Sequence, residues 1–68
     1  MDTTSLGSKF RRLRKLQRIT QTSIERNTGI NRATIYRFEK GSNGIKMGTL
    51  LRLLDTINAK LLIIDKES

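Results

Sequence analysis

The residues best equipped for chemistry lie between positions 20 and 41, in the stretch T-Q-T-S-I-E-R-N-T-G-I-N-R-A-T-I-Y-R-F-E-K-G. The chemistry they suggest is recognition rather than bond-making. Arg32, Ala33, Tyr36 and Arg37 fall at helical spacing, near the start or along one face of a short helix. A guanidinium is planar and offers parallel donors, so it grips a partner that presents two acceptors side by side. The groups that most often catalyse are missing. The chain has no histidine and no cysteine, which removes the commonest general base, the thiolate nucleophile and the usual metal ligands. It has no glycine-rich phosphate loop, and Glu25, Glu39 and the aspartates are scattered rather than paired. An enzyme is therefore not expected, nor a metal or other cofactor.

The elements that must hold these residues follow from local signals. Thr20 and Asn31 carry short oxygen-bearing side chains suited to capping helices that begin at Gln21 and Arg32. Gly29 sits between them, where a helix end needs a left-handed residue. Ile24, Ile30, Ile35 and Phe38 are spaced to bury one side of each helix. The spacing predicts helices over about 21–27 and 32–39, joined by a tight turn. A helix held out in this way fits the DNA major groove. Upstream, Ser5 is placed to cap a first helix over about 6–17. Leu6, Phe10, Leu13 and Leu16 line one side of it, and Lys9, Arg11, Arg12, Lys15 and Arg18 decorate the rest. Downstream, Gly41, Ser42, Asn43 and Gly44 mark a loop. A further helix follows over about 47–57, with Leu50, Leu51, Leu53 and Leu54 as its apolar content. Gly48 and Thr49 leave its start open.

The C-terminal stretch differs. Leu61, Leu62, Ile63 and Ile64 are consecutive, Asn58 interrupts the helical pattern, and paired isoleucines favour extended backbone. Residues 60–65 read as a β-strand. A lone strand leaves backbone groups unpaired, and antiparallel pairing with a second copy across a twofold axis remedies this through Leu61, Leu62, Ile63 and Ile64. The competing readings are continuation of the preceding helix or packing back onto the same domain. The expected organisation is a flexible N-terminus (1–5), one helical domain (6–58), and a dimerisation strand with tail (59–68).

Charge narrows the class of partner. The 68 residues hold 14 Lys and Arg against 6 Asp and Glu, a net charge of +8. That surplus favours an anionic partner, of which DNA phosphate is the commonest. The bland reading is a soluble basic protein. A membrane-surface helix would need large apolar anchors opposite its basic face, and the apolar positions here are better used by a globular core. The apolar runs are too short to span a bilayer, and no charged-then-apolar signal segment opens the chain. The expected location is the cytoplasm. So small a core is marginal, which makes a partner subunit a reasonable source of stability.

The chain resembles the Cro/repressor (XRE-like) helix-turn-helix family. The matching residues are Leu13-Arg14, Thr20-Gln21, Ile24, Gly29-Ile30-Asn31, Thr34-Ile35 and Glu39-Lys40-Gly41, followed by the leucine-rich stretch Thr49–Leu54. The resemblance covers roughly residues 6–58. It implies an all-α, lambda-repressor-like bundle of four to five helices. The added C-terminal strand makes the chain most similar to the HipB-type antitoxins, dimers whose strands pair between subunits. Two departures stand out. Glu25 occupies a position where the family usually has a small residue, so it must turn outward or find a basic partner such as Arg26 or Arg32. Thr28 replaces the usual apolar residue before the turn glycine.

The resemblance implies roles residue by residue. Arg32, Ala33 and Arg37 match positions that touch base edges, and Tyr36 reaches a base or a phosphate. Gln21 matches a glutamine that binds phosphate and braces the first reading residue, here Arg32. Thr20, Thr22, Asn31, Thr34, Lys40 and Asn43 are further phosphate-contact candidates. Arg14 and Glu39 match a structural ion pair. The implied function is a sequence-specific repressor that binds a palindromic operator as a homodimer. A HipB-type protein would also partner a HipA-like toxin kinase, and would be bacterial or phage-encoded and nucleoid-associated. The alternatives are a phage or restriction–modification regulator of the same fold, or a nonspecific DNA-binding or protein-interaction module. For Arg32 and Arg37, plain phosphate binding competes with base reading.

Overall fold

Apolar side chains three or four positions apart decide where this chain coils and which way each helix faces. The computed structural model describes residues 3–42 and 44–61. Four helices follow one another there: α1 (Thr3–Leu16), α2 (Gln21–Thr28), α3 (Arg32–Glu39) and α4 (Met47–Thr56). They enclose one core of Phe10, Ile24, Ile30, Ile35, Phe38, Leu50, Leu53, Leu54 and Ile57. The rings of Phe10 and Phe38 meet with centroids 5.4 Å apart and planes tilted by 57°, an arrangement favoured by the ring quadrupoles.

The turn between α2 and α3 is built from the expected caps. Thr20 Oγ1 accepts the Ser23 N–H at 3.0 Å, and Asn31 Oδ1 accepts the Ala33 N–H at 2.7 Å. Gly29 closes α2 in the left-handed region (φ 78°), donating its N–H to the Glu25 carbonyl at 2.8 Å. A Cβ-bearing residue would be strained there. Thr28 has a use that an apolar residue could not serve. Its hydroxyl donates to the Ile24 carbonyl at 2.6 Å and accepts the Ile30 N–H at 3.1 Å, bracing both sides of the turn.

The first helix departs from expectation in two ways. It begins at Thr3, so Ser5 lies inside its first turn rather than capping it, and residues 3–5 are helical rather than a loose end. Thr3, Thr4 and Ser5 all carry short hydroxyls, so residue type alone does not choose where the helix starts. Its inward face is also rotated from the leucine stripe. Phe10 is buried and Leu6 half-buried, but Leu13 is 41% exposed and Leu16 71%. The inward side is completed by Gly7 and Arg14 instead. A Cβ at Gly7 would stand 1.9 Å from the Phe38 carbonyl oxygen, so glycine is what lets α1 approach the backbone of α3.

The fourth helix starts at Met47 without a side-chain cap. It buries Leu50, Leu53 and Leu54, while Leu51 stays 48% exposed on the outer side. Two side chains tie it to the rest. Gln17 Nε2 donates to the Ile57 carbonyl at 2.9 Å, and the Arg52 guanidinium donates to the Thr28 carbonyl. Of the strand expected over 60–65, Lys60 and Leu61 are described. Their backbone is irregular, and Leu61 packs partly buried against the core. Leu62, Ile63 and Ile64, and with them the pairing across a dimer, lie outside the described residues, as does Asn43.

Candidate nucleic-acid interface

The candidate interface is held in place by one buried carboxylate. Glu39, at the end of α3, accepts from Arg14 Nε at 2.6 Å and from Arg14 Nη2 at 3.0 Å. Arg14 and Glu39 are 8% and 7% exposed, so the expected structural ion pair is present, bidentate and shielded from water. Arg14 Nη1 donates to the Ile19 carbonyl at 2.8 Å, which ties the α1–α2 connection into the same network. Gln21 Nε2 donates to Glu39 Oε1 at 3.1 Å. The start of α2 and the end of α3 are thereby fixed to each other. No buried side-chain nitrogen or oxygen among the described residues is left without a partner.

That geometry corrects one expectation. Among the described residues Arg32 donates no hydrogen bond to Gln21, whose amide nitrogen donates to Glu39. The brace comes from elsewhere. Glu25 Oε1 lies 3.4 Å from Arg32 Nε, Glu25 Oε2 accepts the Arg32 backbone N–H at 3.0 Å, and Arg32 Nη1 donates to Thr22 Oγ1 at 3.3 Å. Glu25 meets Arg32 across the turn. Sequence spacing alone could not choose it over Arg26.

The four candidate base readers lie together. Arg32, Ala33, Tyr36 and Arg37 are all exposed, while Ile35 and Phe38 of the same helix are buried. With Gln21 they line one open depression of about 450 Å³. Thr22 and Lys40 are exposed, and with Gln21 and Tyr36 they line a second depression of about 440 Å³. The Lys40 ammonium stands 5.5 Å from the centre of the Tyr36 ring, within reach of a cation–π attraction. Thr20 and Asn31 are exposed but already engaged as caps, and half-buried Thr34 lines a separate hollow beside Arg37 and Ser42.

Two cations not singled out from the sequence join this surface. Arg11 and Lys15 of α1 line the second depression, with Arg11 Nε 3.8 Å from Glu39 Oε1. Their spacing of one helical turn was the available signal, but only the packing of α1 on α3 shows which way they face. Among the described residues no group of His, Cys, Asp and Glu could hold a metal ion, and no helix is long and apolar enough to cross a membrane.

The comparisons with known proteins agree with this geometry. Among solved structures, a chain of the HipA-HipB-O2-O3 complex superposes with a TM-score of 0.87 at 23% identity, covering 97% of this chain and 93% of that one. The HipB-O4 20mer complex gives the same values, and a structure described as MDT Protein gives a TM-score of 0.88 at 23% identity with the same coverage. At that identity the likeness is one of fold. No curated protein matches the sequence. A family model described as a helix-turn-helix domain matches residues 5–61, nearly the whole chain. The chain belongs to the helix-turn-helix domain family.

Proposed function

We propose that this protein is a sequence-specific DNA-binding repressor, and that it acts as a HipB-like antitoxin. The observation that carries this reading is the outward face of α3. Arg32, Ala33, Tyr36 and Arg37 are exposed on a helix whose other side is locked into the core and whose end is pinned by Arg14 and Glu39. In the bound state α3 lies in the major groove. Arg32 and Arg37 donate to guanine O6 and N7, and the Ala33 methyl meets a thymine methyl. Gln21, Thr22, Lys40, Arg11 and Lys15 approach phosphates beside the groove, which fixes register without reading sequence. The net charge of +8 supports the same partner.

The protein acts as a homodimer on a palindromic operator. Two copies of α3 then enter successive major grooves about 34–36 Å apart. Repression follows from occupying a promoter in the cytoplasm. The fold shared with HipB in the HipA-HipB-O2-O3 complex supports a HipA-like kinase as the protein partner.

Selection of bound fragments from random DNA, run at two salt concentrations, tests this reading. The expected result is a palindromic consensus whose binding weakens steeply as salt rises. Recovery of fragments with no shared sequence would overturn it.

A further inference from the structure

Glu25 places a carboxylate on the reading side of a strongly basic protein. That is an unusual place for an anion if the surface only gathers phosphate. Its contacts assign it a task. One oxygen meets Arg32 Nε at 3.4 Å and the other accepts the Arg32 backbone N–H at 3.0 Å. Thr22 Oγ1 takes an Nη1 donor at 3.3 Å. The guanidinium is therefore held at two points, and its Nη2 donors and the second Nη1 hydrogen remain for a base edge. Both Arg32 and Glu25 are solvent-accessible, with side chains 59% and 39% exposed, so the pair contributes little to stability.

From this geometry we infer that Glu25 is a specificity-determining positioning residue, acting through Arg32. The inference rests on the DNA-reading assignment made above. Two physical effects produce it. First, arginine loses much rotamer freedom when it docks. Glu25 and Thr22 impose that loss before DNA arrives, so more of the contact energy discriminates between bases. Second, the carboxylate works against indiscriminate binding. A helix N-terminus ordinarily offers free N–H groups to phosphate. Here the Arg32 N–H is occupied by Glu25 and the Ala33 N–H by Asn31 Oδ1, so the protein's own oxygens stand where a phosphate would bind. The negative charge also offsets one cation facing the duplex.

The test is a double-mutant cycle in the full-length protein. Wild type, Glu25→Gln, Arg32→Ala and the double variant are titrated against the selected operator, its single-base variants and a scrambled duplex, at several salt concentrations. Glutamine keeps an oxygen for the Arg32 N–H while removing the charge, so the fold is retained. Glu25→Gln is expected to tighten binding to scrambled DNA and steepen its salt slope by about one unit. Discrimination at the base read by Arg32 is expected to fall roughly five- to tenfold, the lower part of the range for one bidentate contact. In the Arg32→Ala background that second effect should vanish. A separate readout in the free protein is the Arg32 Nε–H resonance, which should lose its exchange protection in Glu25→Gln. A discriminating wild type whose base preference survives Glu25→Gln overturns this inference alone. A wild type that binds operator and scrambled DNA alike overturns the DNA-reading assignment, and this inference with it.

Discussion

Replacing Glu39 by alanine should come close to unfolding the domain. The Glu39 side chain is 2% exposed, and its carboxylate accepts from Arg14 Nε, Arg14 Nη2 and Gln21 Nε2 at 2.6, 3.0 and 3.1 Å. Truncation leaves the Arg14 guanidinium buried at 9% exposure with one remaining partner, the Ile19 carbonyl. Breaking a buried pair from one side costs about 3–5 kcal/mol, because an uncompensated charge stays behind. At roughly 0.05–0.15 kcal/mol per residue, a domain of this length holds about 3–10 kcal/mol in total. One side chain thus carries between a third and all of the stability. Urea titration followed by helical circular dichroism reads the loss. With a slope near 1 kcal/mol per molar, suited to a small domain, the midpoint should fall by about 3 M or more. Joint replacement, Arg14→Met with Glu39→Leu, removes both charges and should recover most of the loss. A cost below about 1 kcal/mol for Glu39→Ala would refute the reasoning, since that is the behaviour of a solvated surface pair. A double variant as unstable as the single one would show that shape, not charge, is what the site requires.

Three further outcomes are expected. Gly7→Ala should lower the thermal midpoint, by overpacking worth about 1–3 kcal/mol, because its methyl would meet the Phe38 carbonyl. A raised midpoint, the usual helix-propensity effect of alanine, would mean that α1 and α3 are not in contact there. Arg37→Ala should relax base preference at one operator position. Lys40→Ala should instead weaken all sequences about equally and lower the salt slope by about one unit, so equal effects of both changes on every base variant would count against the assigned roles. Deleting residues 60–68 should shift the protein toward monomer and weaken operator binding. An unchanged mass in sedimentation would remove the role expected for Leu61, Leu62, Ile63 and Ile64.

Much of the recognition element was legible in the residues alone. Thr20, Gly29 and Asn31 announce a helix stop and two starts through local hydrogen bonding and backbone sterics, and both act within a few residues. The bounds of α3 and the burial of Ile35 and Phe38 follow from the same short-range rules. The Arg14–Glu39 pair was legible through the family pattern rather than through any local signal.

What depended on tertiary packing is whatever crosses from one helix to another. The leucine stripe of α1 offered Leu13 and Leu16 to the core, yet the helix turns Gly7, Phe10 and Arg14 inward. Only a glycine permits the approach to α3, and the inward Arg14 pairs bidentately with Glu39. Glu25 had two candidate partners along the chain, Arg26 and Arg32, and Gln21 had one, Arg32. The distance between α2 and α3 gave Gln21 to Glu39 and Arg32 to Glu25. Caps and turns are decided by atoms a few bonds apart, so residue order specifies them. A helix's rotation and a side chain's distant partner are decided by how neighbouring surfaces fit, and that exists only once the chain has folded.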